Sequence, residues 1–172
     1  MHSDQLTSRG FLDLAERLGH ACHTQGATVT TAESCTGGGV ANAITAIAGS
    51  SAYFETGYVT YSNAAKERLL GVPATMLEVH GAVSRETVEA MVFGACNESG
   101  ADIGVAISGV AGPGGGSPDK PVGTVWLAWG SAEKVEAECY HYSGDRQAVR
   151  GQAVRDALIG LIRQVESPQG RR

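Results

Sequence analysis

Ser34 and Lys66 are the side chains whose sequence surroundings best equip them for chemistry. Ser34 lies in Ala-Thr-Val-Thr-Thr-Ala-Glu-Ser-Cys-Thr-Gly-Gly, residues 27–38. The β-branched run from Thr28 to Thr31 reads as a strand, and the alanine-rich stretch after the glycines, Gly39 to Ala48, as a helix. The hydroxyl therefore falls on a strand–turn–helix junction, at a sheet edge open to a ligand. Glycine lets backbone approach closely, and the first N–H groups of a helix have no intrahelical acceptor. Donors around Thr36, Gly37 and Gly38 can hold an oxyanion or a phosphate. A serine there is a candidate nucleophile with its own oxyanion hole. The alternative is a βα turn whose Ser and Thr only cap the helix. Cys35 is the rival nucleophile and intrinsically the stronger one.

Such a serine needs a base. The five histidines are His2, His20, His23, His80 and His141. The first three lie on the tail or first helix, and His80 and His141 read as structural. No Gly-x-Ser-x-Gly elbow is present. Of the three lysines, Lys66, Lys120 and Lys134, Lys66 stands in Tyr-Ser-Asn-Ala-Ala-Lys, in the first turn of a helix that begins where a strand ends. The positive end of the helix macrodipole and partial burial both disfavour an ammonium there. A useful base must titrate near ~7–8 rather than the ~10.4 of free lysine, and only Lys66 has a location that supplies the reason. A solvated lysine paired with Glu67 is the alternative. Ser108-Gly-Val-Ala-Gly-Pro-Gly-Gly-Gly follows a buried strand, where ligands commonly meet an α/β sheet. Its backbone, including Gly112 and Gly114, can cradle an anion. It lacks both the Gly-Lys-Ser/Thr ending and the following helix of a nucleotide fingerprint. Arg146, in Gly-Asp-Arg at the head of the last helix, can clamp a phosphate or carboxylate, or pair with an acidic neighbour.

These residues need a scaffold, and the chain is long enough for one domain of 172 residues with a sizeable core. Apolar residues are 42% and aromatics 6%, so alanine, valine and leucine fill that core. The 24 glycines gather in turns, and the net charge of −5 carries no basic cluster before Arg171-Arg172. Nucleic acid is thereby excluded as the main partner. Cys22, Cys35, Cys96 and Cys139 are 13, 61 and 43 residues apart, which matches no zinc or redox spacing. They read as free thiols of a reducing compartment. A polar N-terminus and the lack of a transmembrane-length apolar run predict a cytoplasmic protein without a membrane span.

Helical spacing of Leu6, Phe11, Leu14, Leu18 and Cys22 predicts a first helix ending near Gly26. Strand 27–33, helix 38–48, strand 53–61 and a short helix 64–70 capped by Ser62 or Asn63 follow. A helical turn at 75–79 precedes a longer helix from Ser84 to about Ser99. Strand 102–107 empties into the glycine loop 109–121. Strands 122–129 and 134–142 form a hairpin, and Asp145 caps an amphipathic last helix. Helices separate most strands while the last two strands are adjacent, so the expectation is an α/β layered domain with a mixed sheet.

Taken together, Ala-Glu-Ser-Cys-Thr-Gly-Gly at 32–38, Tyr-Ser-Asn-Ala-Ala-Lys at 61–66, Gly-Ala-Val-Ser at 81–84 and Ser-Gly-Val-Ala-Gly-Pro at 108–113 closely resemble the CinA C-terminal domain family. Gly-Thr-Val at 123–125 and Gly-Asp-Arg at 144–146 fit it as well. The likeness covers residues 5–165 as a single domain, leaving 166–172 as a disordered tail. It implies a three-layer α/β/α sandwich, often dimeric, and hydrolysis of nicotinamide mononucleotide to nicotinate mononucleotide and ammonia. It also implies a serine–lysine mechanism without metal or cofactor, with the serine mapping on Ser34 and the lysine on Lys66. Some relatives carry an additional N-terminal nucleotide-processing domain, for which this chain has no room. On this reading Tyr58 or Tyr61 relays or orients the proton, Tyr61 being closer in sequence to Lys66. Thr36, Gly37, Gly38, Tyr58, Ser108, Gly112, Gly114 and Arg146 bind substrate. A non-catalytic nucleotide-binding module of the same family is the other reading; it would need the glycines and Arg146 but not the Ser–Lys pair.

Overall fold

The computed structural model describes residues 7–167. The order of elements is α1 (Ser8–Gln25), β1 (Val29–Glu33), α2 (Gly39–Thr45), a 3-10 turn (Ser50–Ala52), β2 (Phe54–Val59), α3 (Asn63–Leu70), α4 (Ala74–His80) and α5 (Arg85–Ser99). Then come β3 (Ile103–Gly109), β4 (Thr124–Gly130), β5 (Val135–His141) and α6 (Arg146–Glu166). The five strands form one sheet in the order β2-β1-β3-β4-β5. β1 runs parallel to both β2 and β3, whereas β3–β4 and β4–β5 are antiparallel. The sheet is mixed, as expected, and helices cover both faces.

Alternation along the central strands separates the two cores. Val105 and Ile107 of β3 point to the face covered by α1, α2 and α6, with Leu18, Ile44, Leu158 and Leu161. Ala106 points to the other face, together with Ala32, Ala128 and Ala137 of the neighbouring strands. That alanine floor lets α5 lie close, with Val88, Met91, Val92 and Ala95 against it. Close approach recurs where the helices meet. A Cβ at Gly94 of α5 would collide with the carbonyl of Leu70, the last residue of α3. The helix carrying Lys66 is thereby held in place.

The predicted caps are present, with boundary shifts. Ser62, not Asn63, caps α3 by accepting from the Ala65 N–H, and Asp145 caps α6 by accepting from Ala148. Residues 74–80 are a full helix rather than a turn, begun by Pro73, whose fixed φ suits a helix entry. α2 stops at Thr45, three residues before the expected end, and Gly49 with positive φ starts the 3-10 turn. β3 runs on to Gly109 because β4 pairs with it as far as Val125. Glu166 belongs to α6 and Ser167 caps its end, so the tail expected from 166 does not hold at 166; residues 168–172 lie outside those described. Among the described residues no helix is long and apolar enough to cross a membrane.

Candidate active site

β1 ends at Glu33, and Ser34 continues its line by donating its N–H to the Ile107 carbonyl at 2.9 Å. Its hydroxyl meets Lys66 of α3, whose Nζ lies 3.0 Å from Ser34 Oγ and 2.9 Å from the Thr60 carbonyl. Lys66 is 1% exposed and Ser34 8%, so the pair sits under the surface. No carboxylate among the described residues forms an ion pair with Lys66, and Glu67 is not its partner. Burial pushes its pKa below that of an ordinary lysine, opposed only by the field of the Cys35 sulfur. A neutral amine here can accept the serine proton. Thr60 O fixes one amine N–H, which leaves the lone pair free for Ser34.

The turn between β1 and α2 is gripped from two sides. The carboxylate of Glu33, fully buried, accepts from Thr36 Oγ1 at 2.7 Å, the Val40 N–H at 2.8 Å and the Ala41 N–H at 3.1 Å. On the opposite side, Arg150 of α6 donates from Nε to the Cys35 carbonyl at 3.0 Å and from a terminal nitrogen to the Thr36 carbonyl at 3.3 Å. The anion-binding expectation changes accordingly. At the head of α2 the Val40 and Ala41 N–H groups are taken by Glu33 and the Gly39 N–H by the Thr36 carbonyl, while the Gly37 N–H goes to the Ser34 carbonyl at 3.0 Å. No hydrogen-bond acceptor among the described residues meets the N–H of Cys35, Thr36 or Gly38. Those groups remain available beside Ser34. The Cys35 thiol is pushed up to about 11, chiefly by burial. It stays protonated near neutral pH and is a poor nucleophile.

Arg146 joins three parts of the chain. It donates to the Gly112 carbonyl at 2.8 Å and to the Tyr61 hydroxyl at 3.0 Å. Ala111, Pro113, Val122, Gly144 and Asp145 complete a cleft of about 450 Å³ around it. Tyr61 follows the end of β2, is 63% exposed, and has its hydroxyl bonded to Arg146 rather than to Lys66. Tyr58 is not brought to the dyad. It is half-buried against the α5 core, and burial followed by the charge of Glu98 raises its phenol. Ser108 is buried next to Ile107 on β3, and Gly114 lies on the exposed part of its loop, where a Cβ would touch nothing. His80 stands at the end of α4, 3.7 Å from Glu86, and makes no hydrogen bond to Ser34.

A strand-end serine is thus hydrogen-bonded to a buried lysine beside free backbone donors. Residues 12–165 match the CinA C-terminal domain. The chain belongs to that family. It is 62% identical over 149 residues to the nicotinamide-nucleotide amidohydrolase PncC of Pseudomonas putida, covering 87% of this chain and 93% of the relative. PncC of Escherichia coli K12 is 53% identical over 162 residues, covering 92% and 97%. The crystal structure of a CinA superfamily protein from Klebsiella pneumoniae superposes with a TM-score of 0.87 at 44% identity, covering 90% of this chain and 97% of that one. The three-layer α/β fold is thus that of the CinA superfamily. Sequence patterning had pointed to neither Glu33 nor Arg150. Arg150 lies one turn beyond Arg146 on α6, and that spacing was the only available signal.

Proposed function

We propose that this protein is a nicotinamide-nucleotide amidohydrolase of pyridine nucleotide recycling, converting nicotinamide mononucleotide and water into nicotinate mononucleotide and ammonia. The 3.0 Å contact between Lys66 Nζ and Ser34 Oγ, buried and without a carboxylate partner, carries the reading. The names of the similar PncC proteins supply the substrate class. Neutral Lys66 takes the Ser34 proton as Oγ attacks the carboxamide carbon, and the tetrahedral oxyanion is met by the Thr36 and Gly38 N–H groups. The carbon–nitrogen bond then breaks. Lys66 returns its proton to the departing nitrogen, which leaves as ammonia. Water, deprotonated by the same amine, attacks the acyl-serine carbonyl and releases the carboxylate and free Ser34.

In this reading Arg146, Gly112 and the loop through Gly114 receive the phosphate, and Tyr61 lines the mouth through its bond to Arg146. Proton transfer runs through Lys66 alone. The protein acts as a cytoplasmic homodimer without metal or cofactor. Ammonia release from nicotinamide mononucleotide tests the assignment. The wild-type protein turns over, Ser34→Ala falls to background while keeping its circular dichroism, and Cys35→Ala retains most of its activity. A wild-type protein that binds the nucleotide without releasing ammonia would instead be a binding module.

A further inference from the structure

Arg150 takes no part in the steps above, yet its contacts converge on the turn that follows the nucleophile. Its guanidinium spans two successive carbonyls, those of Cys35 and Thr36, with different nitrogens. The same group explains the glycine at 37: a Cβ there would lie 3.2 Å from an Arg150 terminal nitrogen, and φ is +57°. A trans peptide is planar, with C=O and N–H pointing in opposite directions. Holding the Cys35 carbonyl therefore dictates where the Thr36 N–H points, and that N–H has no acceptor among the described residues. Glu33 anchors the other end of the turn through the Thr36 hydroxyl and the Val40 and Ala41 N–H groups.

We propose that Arg150 is a positioning residue, which aims the Thr36 N–H at the developing oxyanion by gripping the Cys35 and Thr36 carbonyls against the Glu33 anchor. The inference rests on the amidohydrolase reading. Arg150 itself touches no substrate. A planar fork is needed to hold two carbonyls at once, so a lysine, a single point charge, does not replace it. The cationic end also polarises the Cys35–Thr36 peptide and makes its N–H a stronger donor.

The test compares Arg150→Lys and Arg150→Met with the wild type on nicotinamide mononucleotide. Both variants are expected to lose about 10²-fold or more in kcat, the scale of a lost oxyanion donor. KM should stay within about twofold, and the pH at which activity rises should not move, because the dyad is untouched. Backbone ¹⁵N relaxation gives a reading independent of turnover. The order parameter of Thr36 should fall in Arg150→Met, while those of Val40 and Ala41 hold. A raised KM with kcat preserved would make Arg150 a substrate ligand and overturn the proposal. Full activity in Arg150→Lys would reduce its role to charge, and a loss of melting temperature with normal kcat would reduce it to packing. Each outcome rejects positioning. If the wild type releases no ammonia, the amidohydrolase reading fails by itself, and an unchanged Thr36 order parameter in Arg150→Met still decides against the clamp.

Discussion

Lys66 is costly to fold as an ammonium. It is 1% exposed, its carbonyl and hydroxyl partners carry no charge, and burial lowers its pKa. An unfolded lysine titrates near ~10.4, so between the lower folded value and that pH the unfolded chain binds more protons and stability rises with pH. Below the folded value the penalty is felt in full. Lys66→Met should therefore be inactive but no less stable than the wild type. Its stability advantage should be largest at low pH and shrink as the pH rises through the folded pKa, which denaturant titrations at several pH values would reveal. A wild type that gains nothing relative to Lys66→Met with rising pH would contradict a depressed lysine. Lys66→Arg keeps the charge and cannot deprotonate usefully, so ammonia release should be lost as completely as in Lys66→Met. Activity of the wild type should rise along one ionisation below that of free lysine.

At the scale of elements, the site depends on how β1 hands over to α2 and how α3 is seated. Glu33 satisfies donors at the head of α2 from inside the core, so Glu33→Gln brings an NH₂ against N–H groups that need an acceptor. An expected loss of about 1–3 kcal/mol follows from leaving a buried group unsatisfied, measured as a lowered denaturation midpoint, with kcat reduced as the turn loosens. α3 is positioned by Gly94. Gly94→Ala drives a methyl into the Leu70 carbonyl and should cost about 1–3 kcal/mol of stability by overpacking. It should also lower kcat by displacing Lys66. The elements themselves were legible in the sequence. Their ends were less so, because Thr45 and Gly109 owe their places to the 3-10 turn and to pairing with β4.

Across the whole molecule, β1 and β3 are parallel and adjacent, so the segments after both strands emerge at one edge of the sheet. That edge collects Ser34 from the β1 turn, the glycine loop after β3 and Arg146 from the start of α6. The cleft around Arg146 offers one guanidinium beside backbone and apolar groups, with Asp145 and Gln147 also in its wall. Arg146→Ala should weaken binding of nicotinamide mononucleotide and narrow its advantage over the dephosphorylated riboside, read as the ratio of the two kcat/KM values. Equal hydrolysis of riboside and mononucleotide by the wild type would remove the phosphate from this cleft. Since Arg146 also holds Tyr61 and Gly112, a Tyr61→Phe control separates loss of the cation from loss of the tyrosine bond.

Local patterns sufficed for what local forces control. The β-branched run before Ser34, the caps at Ser62, Ser84 and Asp145 and the glycines of the turns reflect short-range sterics and hydrogen bonds, so strands, helices and the mixed α/β class could be read from them. The Ser34–Lys66 pair was named from motif and resemblance, but its 3.0 Å contact spans 32 residues and exists only because the fold seats α3 against α5 with Lys66 reaching the β1 end. Tertiary structure alone decided which backbone donors are free, since a carboxylate at 33 and a guanidinium at 150 compete for the same turn. It also moved Tyr61 onto Arg146 and Tyr58 into the α5 core. Side-chain identity states what a residue can bond. Burial and the folded path of the chain select which partner it meets, because each donor beneath the surface must find an acceptor that sequence distance does not reveal.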